Sequence, residues 1–200
     1  MYSRVVAILF ALLLGLSGPA WAESDPRTVI QTFSDQLIAV MKDGPNLGFK
    51  GREERLRPAV AAAYDMVAMT KGTLGLAAGK LSADETAQLA EAYTRFSVAT
   101  YADQFDAWDG ERFEVGEARP AANGLMLVPS KIIPASGAPT AIDYLMHQDG
   151  GSWKIIDVLF DGSISQVAVR RSEFVPVFRR EGLNGLISLL DNKSTALGTK

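Results

Sequence analysis

The hydrophobic period of this chain changes at Asp109-Gly110. Ahead of that point apolar residues recur every three or four positions, and beyond it they alternate. A helix repeats every 3.6 residues and a strand every 2, so no single element type satisfies both halves. The chain must build helices first and a sheet afterwards, which defines an α+β fold.

In the helical half, Asp25 followed by Pro26 reads as an N-cap and an N1 proline. Val29, Ile30, Phe33, Leu37 and Met41 then keep helical spacing until Asp43-Gly44-Pro45, which is expected to stop the run. A second helix is expected over residues 52–69, with Leu56, Val60, Ala63, Tyr64 and Val67 on one face, and a short helical turn in the Gly-rich residues 70–80. Ser82-Ala83-Asp84-Glu85 is a capping box. It opens the strongest helix, whose stripe is Leu89, Tyr93, Phe96, Thr100 and Phe105 and whose end is expected at Asp109-Gly110.

In the second half, strands are expected over residues 112–119, 125–133, 140–147 and 153–160, with Asp149-Gly150-Gly151 as a tight turn. Short connections make them a four-stranded antiparallel meander. Three apolar rows are assigned inward, under the helices: Met126, Val128 and Ile132; Ile142, Tyr144 and Met146; Ile156, Val158 and Phe160. Helices over 165–180 and 184–193, separated by Gly182, are expected to end the fold.

Residues 1–22 read as a secretory signal: Arg4, an apolar run from Val5 to Leu14, helix breakers at Gly15, Gly18 and Pro19, and Ala20-Trp21-Ala22 as a cleavage pattern. A retained anchor would need about 20 apolar residues. Cleavage leaves residues 23–200 as a single domain, long enough for a sizeable core. The absence of cysteine excludes a disulfide framework, so the core alone must hold this exported chain together. Losing Arg4 takes the net charge from −3 to −4, and there is no basic run, which argues against nucleic acid as a partner.

Catalytic parts are scarce. His147 is the only histidine, expected to be exposed beside a hairpin turn. Gly162-Ser163-Ile164-Ser165 lacks nucleophile-elbow spacing and suits a helix cap instead, and Gly72-x-x-Gly75 is not followed by the Lys-Ser or Lys-Thr pair of a phosphate loop. No metal or cofactor is expected. The alternative to a binding protein is a small cone-shaped isomerase or hydrolase using Asp143, Asp157 and Tyr144 on an apolar substrate. More conspicuous are soft apolar residues at inward positions, Met66, Met69, Met126 and Met146 beside several aromatics. Arg52, Arg55, Arg57, Arg170, Arg171, Arg179 and Arg180 are assigned to solvated helix faces, with docking to acidic partners or headgroups as their other use.

Several stretches in order carry a family resemblance: Tyr64-Asp65-Met66 before Leu74-Gly75, Ala99-Thr100-Tyr101-Ala102 with Gly110-Glu111, Ile142-Asp143-Tyr144, Trp153 to Val158, and Gly162 to Phe174. With them the chain resembles the MlaC-type, or toluene-tolerance, periplasmic lipid-carrier proteins. The run Ile164 to Ala168 with Arg170-Arg171-Ser172 is most similar to the hopanoid-associated branch, often labelled HpnM. Two departures stand out: Tyr64 where Phe is usual, and no aromatic after Leu74-Gly75.

The resemblance implies a deep apolar cavity between sheet and helical layer, holding the tails of a phospholipid or hopanoid. Its expected wall takes Tyr64, Met69 and Leu74 from the early helices, and Tyr93, Phe96, Tyr101 and Phe105 from the capped helix. Met126, Val128, Ile142, Tyr144, Met146, Ile156, Val158 and Phe160 complete it from the strands. The implied partners are an inner-membrane transport complex, an outer-membrane acceptor and, transiently, a membrane surface. Exposing each methylene to water costs about 0.8 kcal/mol, so a carrier needs a hiding place rather than catalytic groups.

Overall fold

The structure, a computed structural model, describes residues 25–199; the expected signal peptide lies outside them. Helix α1 spans Pro26–Ala63, and the Asp25 carboxylate caps it by accepting from the Arg27 N–H at 3.3 Å. It does not stop at Gly44-Pro45 as expected. A side chain at Gly44 would lie 1.9 Å from the Asp106 carbonyl, so this glycine permits a close approach of chain segments and terminates nothing. The helix breaks instead at Gly48, whose φ of 61° favours glycine. Arg52 reinforces the break by donating from Nε to the Ala102 carbonyl at 2.8 Å and from Nη1 to that of Gly44 at 3.2 Å.

Tyr64 and Asp65 interrupt the helix expected to run to residue 69. Tyr64 bridges to Ile155 in parallel, and the Asp65 N–H donates to the Ile155 carbonyl at 3.0 Å. Asp65 then caps α2 (Met66–Leu74), accepting from the Ala68 N–H at 2.8 Å on one oxygen while the other meets His147 Nε2 at 2.9 Å. His147 is therefore half-buried and tied to a helix cap, not the free exposed residue expected. A 3₁₀ turn, Gly75–Lys80, leads to α3 (Ala83–Gln104).

The capping box of α3 is present in both directions: the Glu85 N–H donates to Ser82 Oγ at 3.2 Å and the Ser82 N–H to the Glu85 carboxylate at 2.8 Å. Ser82→Ala should lower stability by about 1 kcal/mol, measured as a lower urea midpoint with unchanged slope. The helix stops at Gln104, ahead of Asp109, with Phe105 as its C-cap.

The sheet has seven strands, not four: β1 (Arg112–Val115), β2 (Arg119–Pro120), β3 (Met126–Val128), β4 (Ser130–Ile133), β5 (Thr140–Asp149), β6 (Ser152–Phe160) and β7 (Ile164–Ser165). The extra strands arise where two expected strands bend. Pro129 has no N–H for the ladder and separates β3 from β4, and facing it Gly116 separates β1 from β2, donating to the Pro129 carbonyl at 2.8 Å. All pairings between the seven strands are antiparallel, with β5 flanked by β3 and β4 on one side and β6 on the other. Helix α4 (Gln166–Leu197) follows, bent at Gly182, where φ is 69°. Its N-cap Ser165 donates to Asp157 Oδ2 at 2.5 Å, and the Val167 N–H donates to Asp157 Oδ1 at 3.0 Å, fastening α4 to β6.

Ile30, Leu56, Val60, Val98, Val128, Met146, Ile155, Leu186 and Leu190 are fully enclosed and form the core between the helices and the inner sheet face. Helices α1, α2 and α4 rest on β6, whereas α3 packs chiefly on those three helices. Between α3 and β6, side chains rather than close backbones must fill the space.

Candidate functional site: an apolar pocket between α3 and β6

The α3 stripe turns its rings toward β6. Tyr93 and Phe96 are buried there, Tyr101 half-buried, and Val158 and Phe160 face them from the strand. Val60, Tyr64 and Met69 close one side, and Ser97, Thr100, Gln104, Gln166 and Arg170 form a polar flank. The space left is a pocket of about 110 Å³. An apolar cavity of roughly 150 Å³ takes up benzene, so this one is too small for an acyl chain as it stands. The deep cavity implied by the resemblance is therefore not open.

Aromatic packing is the reason. Phe33 meets Tyr64 edge-on at 5.4 Å and Tyr101 at 5.3 Å; Tyr101 lies 5.7 Å from Phe105, which stacks on Phe113 at 6.3 Å. Tyr93 meets Phe174 edge-on at 5.5 Å. The hydroxyls of Tyr64 and Tyr101 hydrogen-bond each other, which satisfies both in an otherwise apolar wall. Burial pushes the Tyr64 and Tyr144 hydroxyls well above the usual tyrosine range, raises that of Tyr93, and lifts that of Tyr101 to about 12.

The structure brings seven of the expected wall residues to this pocket: Tyr64, Met69, Tyr93, Phe96, Tyr101, Val158 and Phe160. Leu74, Val128, Ile142, Tyr144 and Met146 lie in the adjoining core, while Phe105 and Met126 are half-buried. Ile156 does not share the Val158 face as expected. Leu145 pairs with Asp157 but Met146 with Ile155, so a bulge leaves Ile156 unpaired and half-buried, and Ile155 takes the core position.

Of the polar flank, Thr100 stands on the α3 stripe read from the sequence, whereas Ser97, Gln104, Gln166 and Arg170 come from the structure alone. Arg170 was expected on a solvated face, yet it lies three residues after Val167 and four before Phe174, both buried, and lines the pocket. Arg52 is likewise drawn in, whereas Arg171 stays exposed as expected and donates from Nε and Nη2 to the Gly72 carbonyl at 2.9 and 2.7 Å.

The three groups of the enzyme alternative do not converge. Tyr144 points inward, whereas Asp143 and Asp157 belong to the opposite face by strand alternation. Asp157 is occupied by Ser165 and by the N–H groups of Val167 and Val158. Among the described residues no acidic, histidine or cysteine group is placed to hold a metal ion, and no helix is long and apolar enough to cross a membrane.

A helical layer thus lies over an antiparallel sheet, with an aromatic-walled pocket between α3 and β6. Residues 31–192 match the family described as MlaC protein, and the chain belongs to that family. Among solved structures it is similar to a phospholipid-binding protein from Ralstonia solanacearum, determined in complex with a phospholipid. That match has a TM-score of 0.75 and 20% identity over 88% of this chain and 100% of the other, a likeness of fold. No curated protein matches the chain.

Proposed function

We propose that the protein is a periplasmic lipid carrier, exported by its N-terminal signal. It takes up a phospholipid or hopanoid with the tails between α3 and β6, and passes it between an inner-membrane transport complex and an outer-membrane acceptor. The observation that carries this reading is the pocket itself, with aromatic and aliphatic walls and a polar flank on one side. Membership of the MlaC family and the phospholipid held by the Ralstonia protein support it.

Uptake requires the pocket to widen. The wall facing β6 is made of long side chains on α3, which can change rotamer without breaking a strand or helix ladder. Each methylene held in water costs about 0.8 kcal/mol, so a tail crossing the aqueous space between membranes is far better placed in a widened pocket than exposed. Native mass spectrometry of protein extracted gently from the periplasm should find one lipid per chain. Protein that is lipid-free in that measurement, and that stays so after incubation with liposomes, would refute the reading.

A further inference from the structure

Resting on the carrier reading, we infer that Arg170, assisted by Gln166, binds the phosphate of a lipid headgroup at the polar flank of the pocket. Among the described residues, Arg170 is the only charged side chain lining this pocket. Its guanidinium lies 4.9 Å from the centre of the Phe96 ring and donates from Nη1 to Glu173 at 3.0 Å, so it is held beside the ring that forms the apolar wall. A fixed, planar guanidinium gives up little freedom when it meets an oxyanion.

The local charge favours an anion. Glu173 is shared by Arg170 and by Lys193, whose Nζ is 3.5 Å away and lies 5.8 Å from the centre of the Phe96 ring. Two cations and one carboxylate leave one positive charge beside the pocket. The other nearby carboxylate, Asp157, is taken up by Ser165 and two backbone N–H groups. The Arg170 side chain is 21% exposed, so an anion there meets the charge with much of the water removed, where charge–charge attraction is stronger.

Gln166 sits one turn before Arg170 on α4, and both line the pocket together with Ser97, Thr100 and Gln104 of α3. Tails lodged against Phe96 and Val158 would thus bring their phosphate to the flank that carries the cationic donor. The ligand class is a lipid bearing a phosphate monoester or diester, in preference to a neutral lipid of the same chain length.

The test compares uptake from vesicles containing phosphatidylglycerol or the diacylglycerol of matching chains. Wild-type protein should favour the phosphate lipid by roughly tenfold, the size of a charge-assisted contact. Arg170→Gln should bring the two lipids to parity by lowering phosphatidylglycerol uptake far more than diacylglycerol uptake, and Arg170→Lys should keep part of the preference. Glu173→Gln, which frees Arg170 from its partner, should raise the preference and so gives a change of opposite sign. Equal uptake of both lipids by the wild type, or full preference in Arg170→Gln, would overturn the assignment. Inorganic phosphate that blocks phosphatidylglycerol uptake at matching concentration would overturn it in favour of a free-anion site. Failure to take up either lipid would instead remove the carrier reading on which it rests.

Discussion

Protein carrying Val158→Trp is expected to take up no lipid from liposomes while keeping its secondary structure. Val158 is 6% exposed and faces the α3 rings from the middle of β6. The pocket in front of it holds about 110 Å³, and an indole placed there occupies the volume a tail would first enter. Overpacking at such a site costs about 1–3 kcal/mol, within the total stability of a domain this size, commonly about 5–15 kcal/mol. Thermal unfolding should remain cooperative at a lower midpoint, which separates a blocked pocket from a lost fold. Val158→Ala works in the opposite sense: it enlarges the pocket and should speed uptake although it too destabilises. Unimpaired uptake by Val158→Trp would show that tails do not pass between α3 and β6.

Val158 was legible from sequence because the polar Asp157 beside it fixes which way it turns, and the same reasoning failed two residues away. Strand alternation assumes that every residue pairs in turn, and the shift between Leu145 and Met146 breaks that assumption at Ile156. Nothing local announces a bulge, which is settled by how two strands twist against each other. The capping box of α3 was legible for the contrary reason: all its partners lie within four residues, and a hydroxyl three positions before a carboxylate has few other uses.

Contacts distant in sequence were not legible. Asp65 and His147 are separated by 82 positions, and only the crossing of Tyr64-Asp65 over β6 brings them together. Gly44 looked like a stop because Gly-Pro often is one, whereas its real constraint is the Asp106 backbone pressed against it. Sequence spacing narrows the choice to Arg170 and Arg171, which both fall between the buried Val167 and Phe174; the packing of α4 turns Arg170 to the pocket and leaves Arg171 exposed. The charge of Arg170 suggested solvent; its neighbours determined where it lies. The openness of the pocket, by contrast, depends on how far the rings of Phe33, Tyr64 and Tyr101 interlock, a matter of rotamers that no periodicity encodes.

That interlocking has a direct consequence at high pH. Above about pH 10 the protein should unfold cooperatively, with Tyr64, Tyr93, Tyr101 and Tyr144 ionising together as it does so. These are four of the five tyrosines in the sequence, Tyr2 lying outside the described residues. Burial raises all four hydroxyls above their ordinary value, to about 12 for Tyr101. In the unfolded chain each loses its proton near pH 10. Between that pH and the folded-state value the native protein binds more protons than the unfolded one, so stability falls as pH rises. The contribution is fully present below pH 10. Each tyrosine then removes about 1.4 kcal/mol per pH unit, and the four together about 5 kcal/mol per unit. Against a total of about 5–15 kcal/mol, the unfolding midpoint is reached about one to three pH units above 10. Tyrosinate absorbance and far-ultraviolet circular dichroism should change together along the titration. Gradual ionisation near pH 10 with the circular dichroism unchanged would mean that water already reaches these rings, and that the wall between α3 and β6 is not closed by packing.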